Sequence, residues 1–158
     1  MSNLDRVRQR LQQQLPLIEH MGIDIVSWDG EVVRVRAPLA PNLNVHGTAF
    51  GGSLFSVGAM TGWSAVLLTF MDAGHSPHVW LADSRIDFIL PVRGDLNAEA
   101  RIGTEWRQQL LQEFESTGRV NVNLDVTLPE AQVCAVRMQA HYAVKSAAVK
   151  SAVKSTLN

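Results

Sequence analysis

The residues best suited to chemistry lie in one short run, Asn42-Leu43-Asn44-Val45-His46-Gly47-Thr48-Ala49-Phe50-Gly51-Gly52-Ser53. It brings two carboxamides, an imidazole and two hydroxyls beside a pair of glycines. No residue from Thr48 to Met71 carries a charge, so this stretch holds no carboxylate that could activate water. A helix starting near Gly51 offers free N–H groups and the positive end of its dipole. Glycines there let a ligand approach the backbone closely. Donors without a base suit the stabilisation of a developing oxyanion better than the activation of water. Asn44 is the first catalytic candidate, an uncharged donor to a carbonyl oxygen; its other reading is a residue that holds a loop turn through its own backbone. His46 is the second, a titratable side chain close to the helix start and able to act as a base near neutral pH. It also reads as a loop-locking or surface histidine. Thr48, Ser53 and Thr61 could add hydroxyl donors, although Ser53 is also an ordinary first-turn residue. A Ser-His-Asp triad would need an acid beside His46, and nothing in the sequence places one there.

Several elements must position this run. Leu4, Val7, Leu11 and Leu15 recur at helical spacing, with Asn3 as the expected N-cap and Pro16 as the stop. Gly22 to Trp28 and Glu31 to Ala37 read as two strands joined by a two-residue Asp29-Gly30 turn. Pro38 to Phe50 is a loop. The uncharged stretch beyond it is apolar on every side of a helical wheel from Leu54 onward, so it must be wrapped by protein or cross a membrane. Its glycines and hydroxyls, and the lack of closely flanking Lys or Arg, favour a protein core.

Period-two alternation then predicts four strands. In His78 to Leu90, Trp80, Ala82, Ile86, Phe88 and Leu90 are expected on the inner face, opposite Asp83, Arg85 and Asp87. Asp95 to Ile102, Arg119 to Leu128 and Ala131 to Val144 follow the same rule. Trp106 to Glu115 is expected as a short helix of poor phase. Residues 1–144 form one domain on this reading, and the near-repetitive 145–158 a flexible tail. A curved antiparallel sheet wrapped around a central helix, an α+β architecture, satisfies both patterns. Its open edges call for a second copy, giving a homodimer or a dimer of dimers.

Composition narrows the function classes. The chain has 158 residues, 46% hydrophobic and 18% charged, and a net charge of −1, so no overall field recruits nucleic acid or an anionic membrane. The single cysteine, Cys134, excludes an intramolecular disulfide and is expected in the core. The polar start lacks the apolar segment of a secretory signal, pointing to the cytoplasm. His20, His75, His78 and His141 show no metal spacing, and no phosphate-cradling glycine motif is present.

The order of elements and the run from Asn42 to Leu54 resemble the hotdog superfamily. More closely they resemble the group typified by the C-terminal domain of YiiD, long described as thioesterases and since linked to the malonyl-acyl-carrier-protein decarboxylases of the Mad family. The resemblance extends over Leu4 to Val144 and includes Ala37 to Asn42, Phe50 to Ser53, Thr61-Gly62-Trp63 and Leu90-Pro91-Val92. One departure matters. Many hotdog thioesterases carry His-Gly-Gly at the helix entrance and an acid two to three turns later. Here Phe50 replaces the His, and Ala59, Met60 and Thr61 fill the acid's slots.

The resemblance implies a thioester on a phosphopantetheine arm, carried by acyl carrier protein or coenzyme A, with no resident cofactor and with each site shared by two protomers. It implies Asn44 as the decarboxylase residue that holds the enolate, in an enzyme making acetyl carrier protein to prime fatty-acid synthesis. Thr48, Phe50, Gly51, Gly52, Ser53 and Thr61 make up the expected substrate-binding set. The alternatives are an acyl thioesterase with His46 as base and a non-catalytic acyl-carrier-binding module. Arg85, Arg93, Arg101 and Arg107 are the cations that could attract an acidic carrier.

Overall fold

A computed structural model of the chain describes residues 1–147. Helix α1 (Asn3–Gln14) is followed by α2 (Pro16–Met21), β1 (Asp24–Trp28) and β2 (Val32–Ala37). A short 3-10 turn (Ala40–Asn42) precedes the long helix α3 (Gly51–Asp72), then β3 (Pro77–Phe88), β4 (Leu96–Arg101), α4 (Thr104–Thr117), β5 (Arg119–Glu130) and β6 (Val133–Ser146). The six strands form one antiparallel sheet in the order β1-β2-β4-β5-β6-β3. Its inner face, with Val33, Val35, Leu96, Ala98, Val122, Val126, Met138 and Tyr142 fully or almost fully buried, covers α3. The α+β architecture of a curved sheet on a central helix is therefore present. Helix α3 is long and apolar enough to cross a membrane, but 67% of its most apolar window is buried within the protein, which makes it a core helix.

Close approach between α3 and β6 depends on two glycines. A Cβ on Gly58 would lie 2.9 Å from the Met138 sulfur, and one on Gly62 would lie 2.4 Å from the Tyr142 hydroxyl oxygen. Met138 and Tyr142 are themselves four residues apart on β6, so each large side chain meets a gap on the helix. The Tyr142 hydroxyl donates to the Ala59 carbonyl at 2.8 Å, and burial raises its pKa and keeps it neutral.

Several local expectations are corrected. The N-cap of α1 is Ser2, not Asn3: Ser2 and Asp5 bond reciprocally in a capping box, and Asn3 is the first helical residue. Pro16 begins α2 at its first position, where its missing N–H costs nothing, rather than only stopping α1. The β1–β2 turn centres on Gly30-Glu31, one residue later than expected, because the Asp29 carboxylate accepts from the Glu31 and Val32 N–H groups and extends the pairing.

In β3 a bulge between Leu81 and Asp83 reverses the phase. Val79 and Leu81, paired with buried Val144 and Tyr142, face inward, while Trp80 and Ala82 are exposed instead of lining the core. Ala131 and Gln132 form the positive-φ turn before β6 rather than its first residues. Cys134 is half-buried, and α4 is longer than the segment expected for it. Lys145 and Ser146 pair with β3, so the sheet continues past the expected boundary at 144. The rest of the expected tail, from residue 148, lies outside the described residues.

The two sheet edges are treated differently. Arg8 of α1 donates to the Ile25 and Val26 carbonyls at 2.7 and 2.9 Å, so it occupies acceptors on β1. Among the described residues β3 pairs only with β6, which leaves a 12-residue edge uncovered.

The seating of α3 predicts that Gly62→Ala lowers stability by about 1–3 kcal/mol, because the added methyl overpacks against Tyr142. Denaturant unfolding of the variant checks this; an unchanged midpoint would mean that the helix does not sit so close to β6.

Candidate functional site

The loop between β2 and α3 is built by its asparagines, and the fold gives each a different task. Asn42 is 1% exposed and donates through Nδ2 to the Met21 and Pro38 carbonyls, both at 2.8 Å. Its own carbonyl accepts from the Phe50 N–H at 2.7 Å. It is a structural clamp out of reach of a ligand. Asn44 is only half-buried and organises the tip: Oδ1 accepts from the His46 and Thr48 N–H groups at 2.8 and 3.1 Å, and Nδ2 donates to Thr48 Oγ1 at 2.8 Å. A second Nδ2 contact, to the Ala49 carbonyl, is long at 3.4 Å. One amide proton is therefore weakly held, and the Thr48 hydroxyl that accepts from Asn44 retains a proton of its own to donate. Geometry thus separates two asparagines that stand two residues apart, and it gives Asn44 the task of holding the loop tip, with one of its two Nδ2 contacts long.

The loop leads directly into α3. The Ala49 N–H donates to the Val92 carbonyl at 2.8 Å, tying this strand-like segment to the chain after β3. Phe50 is the N-cap, with no side-chain capping bond, and the Leu54 N–H reaches back to the Phe50 carbonyl at 3.0 Å. Gly51, Gly52 and Ser53 keep N–H groups that the helix cannot satisfy. Two aromatic rings flank them. Phe50 lies where a Gly52 Cβ would be, 2.4 Å away, and Phe88 lies 3.6 Å from the equivalent point on Gly51. Both rings are more than half exposed, so the donors sit in an apolar rim at the surface.

His46 stands at the exposed loop tip, held through its backbone, and no ion pair joins its ring to an acid among the described residues. Ser53 is buried in the first turn. Thr61 is fully buried and donates its hydroxyl to the Val57 carbonyl at 2.7 Å, which removes it from the donors that could meet a substrate. The structure therefore bonds Asn44 to Thr48 and sets Phe50 against Gly52, and among the described residues it leaves His46 without a partner acid and Thr61 inside the core. Among the described residues no group of three or more His, Cys, Asp or Glu is arranged to hold a metal.

The four arginines do not form one cluster. Arg85 and Arg101 line a basin on the outer sheet face together with Asp83, Asp125 and His141, and Arg107 donates to the Gly30 carbonyl. Arg93 alone lies next to the loop, one residue after Val92. The loop is anchored at its start by Asp95, which accepts from Arg36 and from the Leu39 N–H. These bonds hold the Asp95 carboxyl below its usual pKa, the Arg36 bond being the larger cause.

A feature that sequence reasoning missed lies along α3. Ala59, Met60 and Trp63 line a half-open apolar groove of about 350 Å3, with Arg10, Leu11, Gln14 and Leu15 of α1 and Leu81 and Tyr142 as its other walls. Ala59 and Met60 are two of the slots where the resemblance expects an acid. No signal in the sequence joins residues so far apart along the chain.

With the fold and the loop described, the class is defined: an α+β hotdog-type domain, a long central helix covered by a six-stranded antiparallel sheet. The chain belongs to the family described as "Putative thioesterase (yiiD_Cterm)", whose model matches residues 4–146. It is similar to the crystal structure of a "putative thioesterase" from Shewanella oneidensis, with 30% identity, coverage of 90% of this chain and 96% of that one, and a TM-score of 0.80. It is also similar to a protein of unknown function from Chlorobaculum tepidum, with 26% identity, coverage of 90% and 93%, and a TM-score of 0.85. A thioesterase from Haemophilus influenzae shares the fold at 16% identity, 92% coverage of each chain and a TM-score of 0.67.

The Asp95 anchor predicts a pH dependence. A carboxyl whose pKa is depressed on folding stabilises above its unfolded pKa and loses that contribution as pH falls through the folded value. Acidification through the carboxylate range should therefore loosen the loop and lower the wild-type unfolding midpoint more than that of Asp95→Asn. Parallel pH titrations of thermal unfolding check it; identical curves would deny Asp95 that role.

Proposed function

We propose that the protein decarboxylates a malonyl thioester carried on acyl carrier protein, yielding the acetyl thioester that primes fatty-acid synthesis. The observation that carries this reading is a site of donors without a base: Asn44, Thr48 and the α3 N–H groups on one side, and Ala59 and Met60 where an acid would stand. In the reaction the bond between the carboxylate carbon and the α-carbon breaks. Its electron pair moves into the thioester as an enolate, CO2 leaves, and the enolate carbon takes a proton from solvent. Donors aimed at the enolate oxygen stabilise this transition state. The aromatic rim of Phe50 and Phe88 can strip water from the carboxylate, which favours its loss.

Hydrolysis is the second reading. The family description and the Shewanella oneidensis neighbour, both worded as thioesterase, speak for it. It requires His46 to swing inward as the base, since no residue from Thr48 to Met71 is acidic. A carrier-binding module without turnover would show saturable binding alone.

The carrier would dock beside Arg93, in the cytoplasm. The uncovered β3 edge supports pairing with a second copy into a homodimer or a dimer of dimers, with two protomers completing each site. Light scattering checks the pairing: a mass of two or four chains is expected, and a monomer that resists concentration would contradict it.

Mass spectrometry of malonyl carrier protein incubated with enzyme tests the chemistry. Wild type should give acetyl carrier protein, and Asn44→Ala should slow this by on the order of 10²–10³. Free carrier thiol, with a rate unaffected by Asn44→Ala but lost in His46→Ala, would establish hydrolysis instead.

A further inference from the structure

The tip of the β2–α3 loop is a small hairpin closed by one residue acting on another. Leu43 and Ala49 pair as an isolated antiparallel bridge, and Gly47, in the left-handed region at a φ of 75°, turns the chain between them. Inside that turn Asn44 holds Thr48 three times. The Asn44 N–H donates to the Thr48 carbonyl at 2.8 Å, Asn44 Oδ1 accepts from the Thr48 N–H at 3.1 Å, and Asn44 Nδ2 donates to Thr48 Oγ1 at 2.8 Å.

The donors then separate the two side chains. Both Nδ2 protons of Asn44 have an acceptor within the loop, Thr48 Oγ1 and, at 3.4 Å, the Ala49 carbonyl, while Oδ1 already receives two N–H groups. Thr48 Oγ1 accepts one hydrogen bond, and its own proton meets no acceptor among the described residues. A hydroxyl that accepts from an amide is polarised into a better donor. Thr48 is half-buried and stands three residues before Gly51, whose N–H the helix leaves unsatisfied. Three residues of chain span at most about 10 Å, so the hydroxyl and the helix start share one small region.

We infer that Thr48, rather than Asn44, donates directly to the thioester oxygen, and that Asn44 is the positioning residue that fixes the Thr48 hydroxyl. The inference rests on the reading of this loop and the α3 start as the seat of the malonyl thioester, and it names the side chain that meets the oxyanion there. As CO2 departs, charge grows on that oxygen and the hydrogen bond from Thr48 strengthens. Thr48 keeps its proton, and the enolate carbon takes one from solvent. Asn44 acts through Thr48, by holding its oxygen and its backbone in place.

Steady-state turnover of malonyl carrier protein tests this, with kcat and KM read separately and thermal unfolding followed for each variant. Thr48→Val, which keeps the shape and removes the hydroxyl, should lower kcat by on the order of 10²–10³ and move KM by less than about threefold. Thr48→Ala takes its place if Thr48→Val fails to fold, and Thr48→Ser should restore kcat to within about tenfold of wild type, since it returns the donor. Asn44→Asp keeps an acceptor for the His46 and Thr48 N–H groups but turns the Thr48 proton toward a carboxylate, so its unfolding midpoint should hold while kcat falls as far as in Thr48→Val. Because the pair acts as a unit, Asn44→Ala combined with Thr48→Val should be slower than Asn44→Ala alone by less than about threefold. Wild-type turnover in Thr48→Val, or losses that multiply in the double variant, would overturn the inference and leave the decarboxylase standing. A wild type that makes no acetyl carrier protein would overturn both.

Discussion

The structure depends on burying a helix that carries no charge and is apolar all round. Helix α3 cannot stand in water, and a flat layer would cover only one side of it, so the sheet has to curve around it. Gly58 and Gly62 set how close the two come, by receiving Met138 and Tyr142 of β6. The loop from Pro38 to Phe50 delivers the chain to the start of this helix, and Asn42, Asp95 and the Ala49–Val92 bond fix its path. The N-terminal donors of α3 are left at the surface because everything behind them is core.

That placement shapes the chemistry. A buried helix start would need a capping side chain; Phe50 offers none, so the free N–H groups are available to a ligand. The loop beside them is held by an amide and a hydroxyl rather than by ions. Asn44 and Thr48 bond to each other, and the Thr48 hydroxyl, as the acceptor, keeps its own proton to donate. Donors without a carboxylate among them are suited to holding a developing oxyanion, which is the basis of the proposed reaction.

Much of this architecture was legible in the sequence where one physical rule acted alone. The uncharged run announced α3, and clean alternation announced β4 and β5. Where two rules competed, local reading faltered. Ser2 and Asn3 are both good caps, and the choice fell to Ser2 because Asp5 stands where it can return the bond. The bulge at Ala82 reversed the inner face of β3, which periodicity cannot foresee. In the loop, the turn that Asn44 holds through its own backbone neighbours was readable from the residue type. The burial of Thr61, the separate tasks of Asn42 and Asn44, and the groove walled by residues 10–15, 59–63, 81 and 142 emerge only when distant segments pack together.

The central claim, an enolate held by donors in a site without a base, is tested most directly by running the reaction on malonyl carrier protein in heavy water and weighing the product. The account predicts an acetyl thioester carrying a single deuterium, taken up when the enolate is protonated by solvent, with CO2 released in equal amount. Malonate and free carrier thiol, with no acetyl product, would contradict it and make this member of the family a hydrolase.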